Sequence, residues 1–336
     1  MIDLLTTEGD AATLRRRMIV GIAAFAAAIG WTFVAGAVSG GSPWPASTLL
    51  VACACTMVGA AALESRWTAS VPRLAVAAAA VVAATGGGTF GPRPDAGPFG
   101  YVNARGSFFA LAAAAALMML VADRRVLRLL GAVAAVLFAL VPVQSHSWVA
   151  AALLVLPLLA LKATRPSLVQ ASIAGFELFL AIAIIASVAA GVVSGPDDRG
   201  QIGRRTALWH DALTIAAEHP VFGVGPGGFA KASPIARHDP DATWAHNEFL
   251  QSAAELGIPG AAAIVAVFAW TLSSLATRPA PDRVTAIAAA AVAMTGVHAT
   301  VDYVLHEPAV ALMTAALAGA GLAAGAIRRE HAWHRS

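Results

Sequence analysis

The chain of 336 residues is strongly apolar: 58% of its residues are hydrophobic, 12% are charged and the mean hydropathy is +0.72. Ordinary soluble domains contain about 25% charged residues, so this composition excludes a typical soluble enzyme and indicates an integral membrane protein. The formal net charge of +3 does not indicate nucleic-acid binding, because the basic residues form short clusters between apolar runs, as they do beside membrane surfaces.

Ten apolar runs are long enough to cross a bilayer, which takes about 17 to 25 residues. The first run follows Arg15, Arg16 and Arg17 and exceeds the apolar core of a cleaved signal peptide, about 7 to 15 residues, so we expect an anchor. The sequence therefore predicts an all-α polytopic membrane protein with about ten transmembrane helices. The predicted spans are 18–39, 47–63, 71–87, 106–122, 127–143, 147–163, 169–193, 256–276, 284–304 and 307–327.

The distribution of basic residues predicts the orientation. With both termini in the cytoplasm, fifteen of the 22 Lys and Arg residues fall on the cytoplasmic side, in agreement with the positive-inside rule. Five of the other seven lie in one long polar segment, and long segments cross largely regardless of charge. We expect a cytoplasmic tail at 1–17, helices 1–7 within 18–193, a large extracytoplasmic loop at 194–255 between helices 7 and 8, helices 8–10 within 256–327, and a cytoplasmic tail at 328–336.

This loop contains most of the side chains that could do chemistry. Its first part, GRRTALWHDALTIAAEHP, has apolar residues at helical spacing up to Pro220, which predicts an amphipathic helix at the membrane interface with Trp209 at headgroup level. The next part, VFGVGPGGFAKASP, is rich in glycine but lacks the Gly-Lys-Ser/Thr ending of a phosphate-binding loop. We expect a tight turn there.

Residues 244–260, WAHNEFLQSAAELGIPG, place His246 and Asn247 where a helix is about to enter the membrane, before a break at 257–260. A helix N-terminus carries about half a positive charge and attracts anions. Arg204 and Arg205, on the preceding interfacial helix, could bind the same anion through their guanidinium groups. This combination suits a lipid-linked phosphate or pyrophosphate.

These stretches resemble motifs of the O-antigen ligase and O-antigen polymerase superfamily. HNEFLQSAAELGIPG is similar to a signature in which His and Asn precede a Gly and then a small residue. RTALWHDALTIAAEHPVFGVGPGGF is similar to a block with Arg four residues before Trp, and FGYVNARGSFFAL and HATVDYVLHEPAVAL resemble two further segments. The resemblance covers roughly residues 98 to 325, and the matching positions are Arg205, Trp209, His246, Asn247, Asn103, His298 and Asp302.

The resemblance implies a multi-pass glycosyltransferase of the bacterial inner membrane with its active site on the periplasmic or extracytoplasmic face. Such an enzyme moves a glycan from an undecaprenyl-pyrophosphate-linked donor to an acceptor hydroxyl, with inversion and without a metal or other cofactor. Its partners would be that donor, a lipid or glycan acceptor and membrane lipids, with no nucleic acid. Ligases and polymerases share these features and differ in the acceptor.

The resemblance also implies roles for individual residues. Arg205 would hold the donor pyrophosphate, and His246 would be the base for the acceptor hydroxyl or a further phosphate ligand. Many members have an Arg after a Ser at the start of a mid-chain membrane helix, where QSHSWVA offers His146. His146 could donate a hydrogen bond to phosphate there; because His is charged only part of the time near neutral pH, Arg204 is a second candidate for this role. Asn247, Trp209, Asn103, His298 and Asp302 are further candidates for substrate contact.

The residue types fit this chemistry even when the resemblance to the family is set aside. A departing pyrophosphate gains negative charge, which oriented cations and N–H dipoles stabilise. The acceptor hydroxyl must lose a proton, and a histidine with an ordinary pKa of about 6.5 is suited to take it.

Each candidate also has a structural interpretation. Arg204 and Arg205 are also suited to anchor a helix at lipid headgroups, and His246 to cap its helix. His298 and Asp302, four apart on one predicted helical face, would be costly in a membrane without a partner, and a structural hydrogen bond between them is the alternative to a catalytic role.

Two stretches keep alternatives open. Asn103 is either a turn residue or a glycan contact. In RHDPD, His238, Asp239 and Asp241 could bind a cation, whereas an Asp-Pro-Asp surface turn is the commoner use of such a sequence.

For the whole chain, a secondary transporter or a non-catalytic component of a polysaccharide export system is the alternative, although no repeat relates the two halves as in many transporters.

Overall fold

The structure, a computed structural model, describes residues 2–66, 70–83, 101–194, 200–239, 242–278 and 281–324. The regular structure of these residues is helical, as predicted. In chain order the helices are α1 (Ile2–Ser39), α2 (Trp44–Arg66), α3 (Ser70–Val82), α4 (Val102–Met119), α5 (Arg125–Gln144), α6 (Trp148–Leu153), α7 (Val155–Ala160), α8 (Pro166–Val193), α9 (Gly200–Glu218), α10 (Phe229–Ala232), α11 (Glu248–Ala276), α12 (Arg283–Ala299) and α13 (Pro308–Ala323).

Six of the described helices are long and apolar enough to cross a membrane. They are Ile19–Ser39 of α1, Trp44–Glu64 of α2, and the whole of α4, α5, α8 and α11. The other four predicted spans coincide with shorter apolar helices, namely α3, α6 with α7, α12 and α13. A polytopic helical membrane protein is therefore confirmed, whereas the count of ten spans, the extracytoplasmic placement of 194–255 and the orientation stay predictions. The predicted tail at 328–336 lies outside the described residues.

The chain forms two compact units, each assembled from separate stretches. Unit 1 comprises Met1–Val51, Val188–Ala245 and Phe249–Pro279. Unit 2 comprises Ala52–Ser187, His246–Glu248 and Ala280–Ser336.

Helices α4 and α12 form the centre of unit 2, where nearly all of their residues are buried. Both helices are rich in alanine, and small side chains allow membrane helices to approach closely. Glycine extends this close contact: a Cβ atom added at Gly106 of α4 would overlap Ser147, and one at Gly319 of α13 would overlap the Met57 carbonyl of α2. Tight packing around α4 fixes the position of its N-terminal end, which carries the candidate residue Asn103.

In unit 1, α9 confirms the predicted amphipathic helix and ends at Glu218, shortly before Pro220. Leu208, Ala212 and Ile215 are buried on its apolar side. Trp209 is also buried, at 7% exposure, and its Cβ lies close to Gly191 of α8. The indole therefore packs inside unit 1, and its predicted position at headgroup level stays a prediction.

Helix α11 has the predicted break. Gly257 has φ 72° and ψ 179°, so two helical segments meet there at a kink. The kink lies beside α1 within unit 1: Trp31 Nε1 donates a hydrogen bond of 2.8 Å to the Leu256 carbonyl, and Trp31 stacks on Phe222 with ring centroids 5.5 Å apart.

Candidate functional site

The tripeptide His246-Asn247-Glu248 makes contacts with the turn that joins α12 to α13. His246 Nδ1 lies 3.0 Å from Asp302 Oδ1, and Asn247 Nδ2 donates a hydrogen bond of 2.7 Å to the Thr300 carbonyl. Glu248 accepts hydrogen bonds from two backbone N–H groups further along the same turn. These contacts explain why the tripeptide belongs to unit 2, although the stretches on both sides of it belong to unit 1.

Asp302 is fully buried and lies at the centre of a polar cluster. The Tyr101 hydroxyl donates to its two oxygens at 2.7 and 2.6 Å, and Asn103 Nδ2 donates to Oδ2 at 2.5 Å. The backbone N–H of Tyr303 and the imidazole of His246 lie 2.9 and 3.0 Å from Oδ1. A buried carboxylate is costly without such partners. We refer to Tyr101, Asn103, His246, Asp302 and Tyr303 as the Asp302 cluster.

The hydrogen bond to Asp302 determines the tautomer of His246. A carboxylate only accepts hydrogen bonds, so the ring nitrogen that faces it carries a proton. In the neutral imidazole the other nitrogen, Nε2, then has the lone pair that can take a proton from a substrate. The His246 side chain is 17% exposed. Asp302 therefore orients the imidazole in the way that an aspartate orients the histidine of a serine protease, and a role of His246 as general base stays a prediction.

The backbone of His246 is held in a rare conformation. Among the described residues other than glycine, a positive φ occurs at His246 (52°) and at His146 (58°). Left-handed backbone costs about 1–2 kcal/mol in an L-residue, and such residues cluster at functional sites, where the surroundings hold them in place. The hydrogen bonds that Asn247 and Asp302 make around His246 can hold its backbone in this conformation.

Tyr101 and Tyr303 are not among the site residues predicted from the sequence. Their rings stack with centroids 4.5 Å apart and an interplanar angle of 13°. Burial, and next the negative charge of Asp302, raise the pKa of the Tyr101 phenol, so it stays a proton donor. The sequence signal that could have identified Tyr101 was its position two residues before Asn103, in the segment that resembles the family.

His298 lies in the last turn of α12, is 2% exposed, and has its Nδ1 2.8 Å from Ser107 Oγ of α4. The expectation that His298 and Asp302 share one helical face is wrong, because α12 ends at Ala299. The backbone N–H groups of Thr300 and Val301 bind carbonyls three residues back, which tightens the chain and ends the α-helix. Asp302 consequently lies in the following turn, where it meets α4 and His246.

Asn103 lies in the first turn of α4, and its amide binds Asp302 and, at 3.0 Å, the Tyr101 hydroxyl. Asn247 is fully buried. Both amides thus have a positioning role inside unit 2, and a direct contact with substrate stays a prediction for each.

His146 is exposed and lies in the link between α5 and α6, with its ring edge-on to Trp148 at 5.5 Å. Its neighbour Ser147 packs against Gly106 of α4. His146 therefore lies beside the helix that also carries Asn103.

The other predicted residues, Arg204, Arg205 and Trp209, all lie on α9 in unit 1. Arg205 is half-buried, whereas Arg204 is exposed and forms an ion pair with Asp239. That Arg205 acts on the same ligand as His246 stays a prediction.

In RHDPD, His238 Nδ1 lies 2.9 Å from the Pro234 carbonyl, and Asp239 binds Arg204. The third member of this candidate cation site, Asp241, lies outside the described residues.

Residues 101–265 match the family model described as O-antigen ligase. This stretch begins at Tyr101 and includes Arg205, His246 and the kink at Gly257. We refer to residues 101–265 as the O-antigen ligase domain, after the family that this stretch resembles. The resemblance to the O-antigen ligase superfamily is thereby confirmed, and the domain indicates a multi-pass membrane enzyme of the ligase or polymerase type that transfers glycans. No curated protein matches the chain.

The glycine-rich stretch of the O-antigen ligase domain forms the expected turn, with positive φ at Gly223, Gly225 and Gly227. Glu255 of α11 accepts hydrogen bonds from the backbone N–H groups of Gly227 at 2.9 Å and Phe229 at 3.3 Å. A protein carboxylate therefore occupies amides that would face phosphate in a nucleotide-binding loop.

Proposed function

We propose that the protein is an inverting, metal-independent glycosyltransferase that moves a glycan from an undecaprenyl-pyrophosphate-linked donor to an acceptor hydroxyl. One observation supports this most directly: within the O-antigen ligase domain, His246 is oriented by the buried carboxylate of Asp302. A base of this kind is what the activation of a hydroxyl requires.

The proposed reaction is a single displacement. As the acceptor oxygen attacks the anomeric carbon of the donor sugar, His246 Nε2 takes its proton. The bond between that carbon and the pyrophosphate oxygen breaks, and the oxygen leaves with the bonding electrons. Attack from the face opposite to the leaving group inverts the anomeric carbon. Asp302 stabilises the imidazolium that forms.

Arg205 is proposed to bind the donor pyrophosphate. A guanidinium keeps its charge at any relevant pH and binds phosphate oxygens through two parallel N–H groups. Arg205 holds the Arg position of the family motif, and its neighbour Arg204 already forms an ion pair with Asp239. We therefore assign the main stabilisation of the leaving group to Arg205, and a smaller contribution to Arg204 or His146.

We place this site on the extracytoplasmic face of a bacterial inner membrane, with both termini in the cytoplasm. The support is the distribution of basic residues, which favours the cytoplasmic side for the short loops. A lipid-linked donor also carries its own activated leaving group, so the reaction needs no nucleotide outside the cytoplasm.

The test uses the full chain reconstituted in liposomes together with lipid-linked glycans extracted from cells that lack the protein. We expect consumption of the lipid-linked donor by the wild type and none by His246→Asn. If the wild type leaves the donor intact in the presence of the acceptor fraction of those cells, the proposal is wrong. The deletion strain distinguishes the two enzyme types: single lipid-linked repeat units accumulate without a polymerase, and long unattached chains accumulate without a ligase.

A further inference from the structure

A second pair of imidazole and carboxylate lies beside the first. His306 Nδ1 is 2.9 Å from Oε1 of Glu248, and the same oxygen accepts the backbone N–H groups of Leu305 at 2.9 Å and His306 at 3.2 Å. By the argument used for His246, Nδ1 of His306 donates to the carboxylate, and Nε2 is the nitrogen that can accept a hydrogen bond in the neutral ring.

The two imidazoles contact the same aromatic ring. The ring centroid of Tyr303 is 4.9 Å from that of His246 and 6.4 Å from that of His306, and both contacts are edge-on. Both imidazoles belong to unit 2. Because both imidazoles contact the same tyrosine ring, one glycan of more than one sugar could reach both of them.

Exposure increases from the first pair to the second. The Asp302 side chain is fully buried, His246 is 17% exposed and His306 is 33% exposed. This order agrees with the proposed function, in which the deeper imidazole is the base, and the more exposed imidazole is the one that the rest of a substrate can reach more easily.

The contact with Glu248 alone does not require an imidazole at position 306. Glu248 already accepts two backbone N–H groups of the turn, and those bonds would remain with any side chain at 306. A histidine at this position adds a rigid ring with a second nitrogen, Nε2, whose direction is set by the contact of Nδ1 with Glu248.

We propose that His306 is an acceptor-binding residue, whose Nε2 accepts a hydrogen bond from a hydroxyl of the acceptor glycan other than the one that reacts. This rests on the proposed glycosyl transfer. The substrate class is a polyhydroxylated acceptor, and Glu248 is the residue that positions the imidazole.

Two variants separate this role from a structural one. In His306→Asn the amide can replace Nδ1 and keep the bond to Glu248, while the distal nitrogen is lost. In His306→Gln the amide can replace Nε2, while the bond to Glu248 is lost. His219→Asn, at an exposed histidine of unit 1, is the control for the purification and assay.

The kinetic measurement varies the acceptor fraction from cells that lack the protein, at saturating lipid-linked donor. We expect His306→Asn to raise the acceptor KM about tenfold, the loss expected for one hydrogen bond, with kcat and the donor KM within about threefold of wild type. His306→Gln should lie closer to wild type. Loss of function in the Gln variant alone would show a structural role, and a fall in kcat as large as that of His246→Asn would show proton transfer; either result overturns the proposal.

A binding measurement without donor separates this inference from the proposed reaction. We expect the detergent-solubilised wild type to bind the acceptor glycan and His306→Asn to bind it about tenfold more weakly, even if no transfer can be detected. Equal binding by the two proteins overturns the role of His306 alone. If the wild type does not bind the acceptor glycan, both proposals are wrong.

Discussion

His246 Nδ1 and Asp302 Oδ1 lie 3.0 Å apart, although 56 positions separate the two residues along the chain. The contact joins the tripeptide at the start of α11 to the turn after α12, and it directs the distal nitrogen of the imidazole. Asp302 is fully buried, so in the proposed reaction it would act through the residues that it binds.

Asp302→Asn should lower kcat about 100-fold or more, because an amide can turn its NH₂ group towards His246 and favour the wrong tautomer. The donor KM should change little, since Asp302 is not expected to touch the donor. The measurement is steady-state transfer from the lipid-linked donor. The control is Asp282→Asn, which keeps a good N-cap for α12 and should transfer normally. Normal kcat in Asp302→Asn would contradict the assignment of His246 as a base oriented by this carboxylate.

A separate prediction about stability follows from the backbone conformation of His246. At φ 52° glycine is free of the steric cost that alanine has in left-handed backbone, about 1–2 kcal/mol. We therefore expect both His246→Gly and His246→Ala to lose transfer, with the glycine variant the more stable of the two in thermal unfolding. At Ala212, inside α9, the order should be the usual one, and Ala212→Gly should destabilise. A more stable alanine at position 246 would contradict the observed backbone.

The phenol of Tyr101 should resist ionisation. The chain has two tyrosines, so Tyr303→Phe leaves Tyr101 as the single reporter. Burial and the Asp302 charge raise its pKa in the folded protein, whereas an unfolded tyrosine titrates at about 10. The raised folded pKa means that its contribution to stability is fully present below pH about 10 and is lost as pH rises further. Ultraviolet absorbance should show no tyrosinate while the protein is folded, and tyrosinate with a midpoint of about 10 in denaturant. The same midpoint in the folded protein would contradict the burial of this phenol.

Local sequence patterns predicted the helices, the position of His246 and Asn247 before α11, and the break at Gly257. These features depend on hydrophobic period, helix start signals and glycine, which act over a few residues. The partners of Asp302 could not be predicted in this way, because Tyr101 and His246 reach it from distant parts of the chain. The end of α12 was also missed: an alanine-rich run gives no stop signal, and the turn is fixed by the hydrogen bonds that it makes with the tripeptide.

Arg205 and Arg204 should differ in their effects on transfer, although they are neighbours. Arg205→Ala should lower transfer about 100-fold or more, because it removes the positive charge that is proposed to stabilise the leaving pyrophosphate. Arg204 is exposed and pairs with Asp239, and an exposed ion pair contributes about 0–1 kcal/mol, so Arg204→Ala should retain most of the activity. Both variants should insert into membranes like the wild type, which a fractionation assay checks. Equal losses of transfer in the two variants would contradict the assignment of pyrophosphate binding mainly to Arg205.

Gly257 should tolerate no side chain. With φ 72° and ψ 179° its backbone lies in a region that is essentially restricted to glycine. A Cβ there would also overlap the Val221 carbonyl, while the following residue, Ile258, donates a 2.9 Å hydrogen bond to the Pro220 carbonyl that fixes the kink. Gly257→Ala should therefore destabilise unit 1 by more than about 2 kcal/mol. Gly30 of α1 lies in the same unit and has open space around its Cβ position, so Gly30→Ala should be neutral or stabilise by up to about 1 kcal/mol. Thermal unfolding of the two variants in detergent tests the contrast, and equal unfolding temperatures would contradict the kink as the structure has it.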